Sequence, residues 1–470
     1  MSFYSLTFAA FLSTVVFLYF LVPEARRTLV LLAASVLFYL SFTPQYIFVL
    51  FALILLDYCA GLSIEIASGR RRKAWLILSL TANLGLMAAF KYSPAVLGIS
   101  LGPIPLGLSF HTFQAMSYNI EVYRGRQPAE RSFPVFALYV LFFPQIAAGP
   151  IERPQQLIPQ FRELHRFTYA NAVSGLQLVV WGLFQKYVVA NRLAGFVDSV
   201  YAHLASSSGP LVALTAVCFS FQIFCDFSGY SDIAIGTAQI LGFRLNPNFN
   251  RPFHSDSMAE YWKRWHISLS TWMRDYVFFP LCGSRPGMPR ICASIMAAFL
   301  ANALWHGARW NYMVSGLLHG FYRVTELICG RALSRAGWAL DPGWLRPVKI
   351  ARTLLVFSLM TFAFIFFRGE NLAQSFHAVQ RLFTGWGHLA SLGSINQELL
   401  GIQSSLFSLA RLLLLIGLVE AVQFLQARGP LRPRIAMAPA WVRWGLYYAG
   451  VMLLVALASP NQSSFIYFQF

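Results

Sequence analysis

The sequence predicts an all-α polytopic membrane protein, and its composition is the first reason. Of the 470 residues, 57% are hydrophobic and only 11% are charged, whereas soluble domains carry about 25% charged residues. The second reason is that apolar stretches suited to membrane helices, which need roughly 20 residues each, recur from residue 3 to residue 458. A water-soluble core could not bury so much apolar surface, so we expect a single membrane domain over residues 1–470.

The first apolar stretch, residues 3–22, lacks the basic segment and the cleavage site of a secretory signal, so we treat it as a retained span. The next spans are predicted at residues 28–42, 45–66 and 75–90, with basic loops at 26–27 and 70–73. Because cytoplasmic loops carry the excess of Lys and Arg, the N-terminus is expected outside and the loop at 70–73 inside.

Glycine and proline then accumulate up to residue 107, which predicts broken helices and re-entrant turns. Further apolar stretches bring the count to roughly 10 to 12 spans; they are 133–148, 172–190, 211–227, 291–304, 312–328, 353–367, 406–425 and 444–458. Residues 243–289 combine charges, prolines and aromatic residues. Irregular backbone at membrane depth is tolerated only inside protein or beside water, so we place the catalytic region at residues 243–322.

The net charge of +18 would suggest nucleic acid in a soluble protein. Here the Arg residues cluster in short loops between apolar stretches, which indicates membrane topology and no nucleic-acid partner. The six cysteines show no paired metal-ligand spacing, so we expect small buried side chains without disulfides or a metal.

The segment 262–276 carries the first candidate site residues. On a continuous helix at about 100° per residue, Trp262, Trp265 and Trp272 share one narrow face, and His266 lies on the border of that face. This pattern predicts an interfacial amphipathic helix with a histidine at its edge. Simple anchoring at the headgroup level is the alternative for the whole helix.

The second candidate is His306, which closes the apolar stretch that begins at residue 291. An ionisable group at membrane depth is rare and needs a partner, and a neutral imidazole can take a proton from a hydroxyl and return it. Asn302 lies four residues earlier on the same helical face and could orient the ring, while Gly307 would give a substrate room. A satisfied structural histidine remains the alternative.

Other polar residues are expected to be structural. His319 would lie about 220° around an unbroken helix from His306 and so would not face it. The two acids of segment 226–232 make a weak metal site and are expected to cap a turn or neutralise nearby Arg residues. The remaining histidines, also expected to be structural, are His111, His165, His203, His254, His377 and His388.

At these residues the chain resembles the bacterial branch of the membrane-bound O-acyltransferase superfamily. It is most similar to the alginate O-acetylation proteins and more distantly similar to the D-alanyl transfer proteins of teichoic acid modification. The matching motifs run nearly end to end, at residues 56–58, 107–114, 143–151, 226–232, 248–253, 264–276, 305–307 and 465–470. His111 is a departure, since that branch usually has an aromatic or apolar residue there.

The resemblance implies that His306 is the catalytic histidine of the membrane interior and that His266 is the second invariant histidine. It implies a ring of tilted helices, with re-entrant and interfacial helices, around a thin central tunnel. Residues that we expect to line this tunnel are Asn302, Trp305, Gly307, Ser270, Arg274 and Asp275.

The implied function is passage of an acetyl group from cytoplasmic acetyl-CoA across the bacterial inner membrane. The acceptor would be an exported polysaccharide such as alginate, reached with a periplasmic acetyltransferase partner; acetyl-CoA is the acyl donor, and no bound cofactor is expected. D-alanyl transfer from a carrier protein is the alternative, because a basic face suits an acidic carrier as well as coenzyme A. A polysaccharide channel without catalysis, which would not depend on His306, and a lipid acyltransferase are further alternatives.

Overall fold

The computed structural model describes residues 5–147, 149–336, 345–387, 391–458 and Phe465. The described residues form helices and loops and no strand, which confirms the all-α prediction. Expectations that concern residues 1–4, Ala148, His388 and residues 466–470 lie outside the described residues.

Eight helices of the described residues are long and apolar enough to cross a membrane: Pro44–Ile66, Gly69–Pro94, Tyr169–Ala202, Gly209–Ile240, Met288–His306, Leu345–Arg368, Leu406–Ala427 and Ala440–Leu457. Two shorter apolar helices accompany them, at Leu6–Leu21 and Phe133–Ile146. The polytopic prediction is therefore confirmed, with eight candidate spans among the described residues where roughly 10 to 12 spans were expected.

The chain folds as two compact units, and the first takes residues 1–183 and 230–247. Its helices are α1 Leu6–Leu21, α2 Glu24–Leu40, α3 Ile47–Ile66, α4 Gly69–Val96, α5 Leu108–Tyr123, α6 Phe133–Leu141, α7 Phe143–Ile146, α8 Pro154–Leu157 and α9 Tyr169–Leu183. Residues 70–73, expected to be a loop, lie in the first turn of α4. Arg and Lys are good helix formers, and their long side chains can reach headgroups from within a helix.

A buried polar network around Asp57 joins α3, α4 and α5 of this unit. The Asp57 carboxylate accepts from Ser79 Oγ at 2.6 Å, from Asn83 Nδ2 at 2.9 Å and from Asn119 Nδ2 at 3.0 Å. A buried charge is costly unless it is hydrogen-bonded, so these donors from two other helices explain how a carboxylate is accommodated there.

A second buried carboxylate, Glu152, lies in the loop that follows α7. Its oxygens accept from the main-chain nitrogen of Asn246 at 2.6 Å and from Asn246 Nδ2 at 2.7 Å. Burial raises the pKa of Glu152 to about 7, although the hydrogen bonds from Asn246 oppose that rise. Glu152 therefore joins the loop after α7 to the segment that contains Asn246, through a carboxyl group with a pKa near neutral pH.

The second unit takes residues 184–229 and 248–469. A π-helical turn at Phe184–Ala190 leads into α10 Asn191–Ala202, and α11 Gly209–Ile240 follows, of which residues 230–240 belong to the first unit. The later helices are α12 Met258–Arg264, α13 Ile267–Met273, α14 Phe279–Cys282, α15 Met288–His306, α16 Trp310–Arg335, α17 Leu345–Arg368, α18 Leu372–Arg381, α19 Leu392–Gly401, α20 Leu406–Ala427, α21 Leu431–Met437 and α22 Ala440–Leu457.

The acidic segment 226–232 does not cap a turn after the apolar stretch, contrary to the expectation. It lies inside the 32-residue helix α11, and Asp226 forms an ion pair with a lysine: Lys186 Nζ lies 2.6 Å from Asp226 Oδ1, with both side chains buried. The apolar stretch appeared to end at residue 227 because polar residues follow it. In the folded protein Ser228, Tyr230 and Ser231 are buried and Asp232 is half-buried, and the helix continues through them.

Candidate active site

The position of His266 is set by a break in the helical segment that contains it. Helix α12 ends at Arg264, Trp265 is extended, and His266 adopts the left-handed conformation with φ 41° and ψ 57° before α13 begins at Ile267. Such a conformation is uncommon for a residue other than glycine. The expectation of one continuous amphipathic helix over residues 262–276 is therefore wrong.

The break lies beside the segment 248–250, whose main chain is hydrogen-bonded to that of residues 264–267. Asn250 N donates to Arg264 O at 2.9 Å, and Ile267 N donates to Asn248 O at 2.9 Å. The side chain of Asn248 completes the arrangement, because its Oδ1 accepts from Ser268 N at 3.2 Å and from Ser268 Oγ at 3.0 Å and lies 3.1 Å from Nδ1 of His266. Asn248 thus acts as a cap for α13.

Aromatic rings enclose His266, which is only 2% exposed. The ring of Phe227 meets it edge to face at a centroid distance of 4.6 Å, and Trp305 lies 5.9 Å away. Burial lowers the pKa of the His266 imidazole well below its ordinary value, and the electrostatic influence of the neighbouring His306 lowers it further. A neutral imidazole, able to accept a hydrogen bond at neutral pH, is the result.

His306 is the last residue of α15 and is 8% exposed. Its ring meets Phe367 of α17 edge to face at 5.0 Å, and the rings of Trp305 and Tyr312 lie 4.9 Å and 6.4 Å away. The imidazole is therefore fixed by side chains from three helices instead of projecting freely from the helix end.

Gly307 ends α15 and allows the chain to turn into α16. Its φ of 152° and ψ of 178° lie in a region that only glycine adopts easily. A Cβ at this position would touch the Tyr312 ring at 3.4 Å, so the space beside Gly307 belongs to Tyr312. The glycine is therefore required by the turn, beside a ring that itself lines the cavity described below.

Close packing of α15 against α16 brings a third histidine to the site. A Cβ on Gly316 would lie 2.7 Å from the Cβ of Ala303, so the two helix backbones approach as closely as a small residue permits. His319 lies on α16 less than one turn further on and is 5% exposed. The prediction that His319 would not face His306 assumed an unbroken helix, and the break at Gly307 makes that assumption wrong.

A cavity of about 30 Å³, here called the histidine cavity, is lined by all three of these histidines. Its wall also includes Trp262, Asn302 and Phe367, and none of the described side chains that line it is a carboxylate. Since about 10–15 Å³ of such space holds one water molecule, the cavity can accept a group of only a few heavy atoms.

A larger cavity of about 280 Å³, here called the basic cavity, has Trp262 and Asn302 in its wall as well, so it adjoins the histidine cavity. Three cationic side chains line it, namely Lys263, Arg274 and Arg323. Asp275 lies 2.8 Å from the Nε of Arg274, and Glu326 lies 3.1 Å from Arg323.

Five of the eight predicted site residues line one or both of these cavities, and three line neither. His266, His306 and Asn302 line the histidine cavity, and Ser270 and Arg274 line the basic cavity together with Asn302. Trp305 packs on the rings of both predicted catalytic histidines. Gly307 and Asp275 are not among the residues that line either cavity, and Asn302 Oδ1 has no hydrogen-bond partner that would let it orient His306.

Sequence reasoning missed Asn248, His319, Lys263 and Arg323 as site residues. The glycine after His306 was a signal for a helix end, and it could have indicated that His319 returns to the site on the next helix. No sequence signal distinguishes a cation that lines a cavity from one in a loop.

The comparisons with known proteins identify the family of this chain. Residues 124–367 match the model of MBOAT, the membrane-bound O-acyltransferase family. The chain is 33% identical to a "probable alginate O-acetylase" of Pseudomonas putida over 96% of each chain. It is 31% identical to a peptidoglycan O-acetyltransferase of Helicobacter pylori over 73% of this chain and 71% of that one.

A teichoic acid D-alanyltransferase of Bacillus subtilis is 26% identical over 56% of this chain and 69% of its own. The matched family region contains His266 and His306 together with Asn248, which positions the first of them. This chain belongs to the membrane-bound O-acyltransferase family, and it is an acyltransferase.

Proposed function

We propose that this protein passes an acetyl group from cytoplasmic acetyl-CoA across the bacterial inner membrane toward an exported polysaccharide such as alginate. The observation that carries the proposal is the histidine cavity, where His266 and His306 face one small enclosed space. The likeness to an alginate O-acetylase over 96% of the chain supports the choice of acyl group and polymer.

In the proposed reaction, His306 is the general base. Its neutral imidazole takes the proton of an acceptor hydroxyl as the hydroxyl oxygen attacks the thioester carbonyl. The tetrahedral intermediate then breaks its C–S bond, and the leaving thiolate receives the proton from the imidazolium. An ester and a free thiol result, and the histidine returns to its neutral form. His266, as an acceptor at its second ring nitrogen, would hold an N–H or O–H group of the bound substrates beside His306.

The size of the histidine cavity favours a short acyl group. Its 30 Å³ leaves room for about two waters, which suits an acetyl group better than a long acyl chain. A D-alanyl group would bring an ammonium into a cavity without a carboxylate among its described lining residues, and an unpaired buried charge is costly. The wall of the cavity therefore supports acetyl over D-alanyl.

The basic cavity supports a phosphorylated donor. Lys263, Arg274 and Arg323 line a space large enough for part of such a molecule, next to the histidine cavity. Cationic side chains attract phosphate groups, and coenzyme A and the prosthetic arm of a carrier protein both carry them. This cavity supports donor binding without distinguishing the two donors.

The donor experiment uses inverted inner-membrane vesicles from cells that express the protein. Acetyl-CoA labelled in its acetyl group is supplied outside, where the cytoplasmic face is exposed, and label is counted in polymer and protein inside the vesicles. We expect label to appear inside. Transfer from a labelled D-alanyl carrier protein without transfer from acetyl-CoA would overturn the proposal, and so would passage of polymer without any label, as a channel predicts.

The periplasmic partner is part of the same proposal, because delivery to a sugar hydroxyl takes place beyond the membrane. Vesicles prepared with and without a periplasmic acetyltransferase distinguish the roles. We expect full polymer acetylation only with the partner, so complete acetylation by this protein alone would contradict its inclusion.

The proposed orientation places residues 70–73 in the cytoplasm. A cysteine introduced at the exposed position Ser68, next to this basic turn, is expected to resist a membrane-impermeant thiol reagent in intact spheroplasts and to react in inverted vesicles. The reverse pattern would overturn the orientation.

A further inference from the structure

Three buried polar atoms in the wall of the histidine cavity have no hydrogen-bond partner among the described residues. They are Trp262 Nε1, Asn302 Oδ1 and His319 Nδ1. Most buried polar side-chain atoms in folded proteins are hydrogen-bonded. Three such atoms around one cavity are therefore available to form hydrogen bonds with a molecule that enters it.

Two of the three atoms are suited to the same partner. An indole N–H can only donate, and an imidazole Nδ1 donates in the tautomer that carries its proton there. The rings of Trp262 and His319 are neighbours, with centroids 5.1 Å apart and an angle of 83° between their planes. At this ring separation, the two donors are near enough for one oxygen atom in the cavity to interact with both.

We propose that Trp262 and His319 bind the carbonyl oxygen of the acyl group and stabilise the negative charge that it gains in the tetrahedral intermediate. The inference rests on the acyl transfer proposed above. His306 moves the proton, while the two donors hold the oxygen until the C–S bond breaks and the carbonyl forms again. No proton passes to the oxygen, so the reaction balances as before.

The packing of both rings suits this task. Trp262 meets Phe299 of α15 at 5.1 Å, and His319 lies 6.3 Å from Phe299 and from Phe364 of α17. Rings held on several sides keep their donors in place before the reaction. Donors of this kind stabilise a developing charge without the cost of reorganisation.

The test uses variants that remove a donor but keep the ring or the volume. Trp262→Phe keeps an aromatic ring without the N–H, and His319→Leu removes the imidazole, whereas His319→Asn places an amide near Nδ1. Loss of one such donor typically lowers kcat by about 10² to 10³-fold. We expect that loss for Trp262→Phe and His319→Leu, with KM for acetyl-CoA within about threefold of the wild type, and partial recovery for His319→Asn.

A matched control is Trp272→Phe, because Trp272 is a buried tryptophan, 4% exposed, that is not among the residues that line either cavity. The kcat of this variant should equal that of the wild type. A second measurement is the Kd for S-ethyl-CoA, which has no carbonyl oxygen. That Kd should be the same in the wild type, Trp262→Phe and His319→Leu, because the proposed contact is missing from this ligand.

The outcomes separate the two proposals. Wild-type protein without acetyl transfer would overturn the proposed function itself. Active wild-type protein together with unchanged kcat in Trp262→Phe and His319→Leu would overturn only the carbonyl site. Parallel losses of kcat and of S-ethyl-CoA affinity would also overturn it, since the two rings would then shape the cavity instead of binding the oxygen.

Discussion

The side-chain oxygen of Asn248 lies 3.1 Å from Nδ1 of His266. An amide oxygen can only accept, so this contact favours the tautomer with the proton on Nδ1 and leaves Nε2 as the acceptor. The same residue holds the backbone turn through Ile267 and Ser268. One asparagine thus fixes both the tautomer and the position of the histidine.

Replacing Asn248 by Ala is expected to lower kcat, because both the tautomer and the left-handed turn at His266 lose their support. A wrong tautomer can cost as much as about 10⁴-fold in a catalytic histidine; for this second histidine we expect on the order of 10 to 100-fold. The measurement is acetyl transfer per mole of inserted protein. Asn250→Ala is the control, since Asn250 is exposed, and equal activity of the two variants would contradict the role of Asn248.

A pair of glycines on α16 tests the close packing of α15 and α16. Gly316→Ala would bring a Cβ to 2.7 Å from Ala303 Cβ and to 2.9 Å from Phe299 O, whereas a Cβ on Gly330 meets nothing within 4 Å. Overpacking typically costs about 1–3 kcal/mol, so Gly316→Ala should lower the melting temperature and the activity. Gly330→Ala should leave both unchanged or raise the stability slightly, because Ala is the better helix former. Equal effects would show that the helices can separate freely.

Glu152 gives a pH dependence of stability. Its pKa is raised to about 7 by burial from a reference value of 4.5, so the folded state binds more protons than the unfolded state between these values. Its contribution to stability is therefore fully present below pH 4.5 and is lost as the pH rises through about 7. In detergent, the melting temperature of the wild type should fall between pH 5 and pH 8.

The Glu152→Gln variant should flatten that fall, because its side chain is neutral throughout. Glu163→Gln is the control, since Glu163 is exposed, and it should follow the wild-type curve. Parallel curves for all three proteins would mean that Glu152 does not titrate in this range.

Much of this fold could be read from hydropathy, because a bilayer needs long apolar helices and the sequence shows where they are. Helix α17, for example, begins at Leu345 and ends at Arg368, around a stretch predicted at 353–367. Hydropathy does not show whether a polar residue is buried in the folded protein or which side chain it contacts. Asp226 looked like the end of a helix and lies inside one, because its partner Lys186 is 40 positions earlier in the chain.

For the candidate site, too, the sequence indicates some residues but not the contacts that position them. His266 and His306 could be named from their motifs, since each motif carries its own signal. The contacts that position them could not, because they depend on tertiary structure: Asn248 reaches His266 from a segment outside that motif, and His319 returns on the helix after a turn. Periodicity along an assumed continuous helix misplaced both 262–276 and His319 for that reason.

The most direct prediction concerns His306, because an imidazole packed between Trp305 and Phe367 at the end of α15 is costly to place without a function. A general base contributes typically about 10² to 10⁴-fold, so His306→Ala should lower acetyl transfer by about that factor while the protein still inserts. His306→Gln keeps hydrogen bonding but cannot take a proton at neutral pH, and it should be nearly as inactive.

His203→Ala is the matched control, since His203 is exposed and is not among the residues that line either cavity; it should keep wild-type transfer. If both His306 variants inserted normally and kept more than about a tenth of wild-type transfer, His306 would be structural, and the proton transfer would have to belong to His266 or to the partner protein.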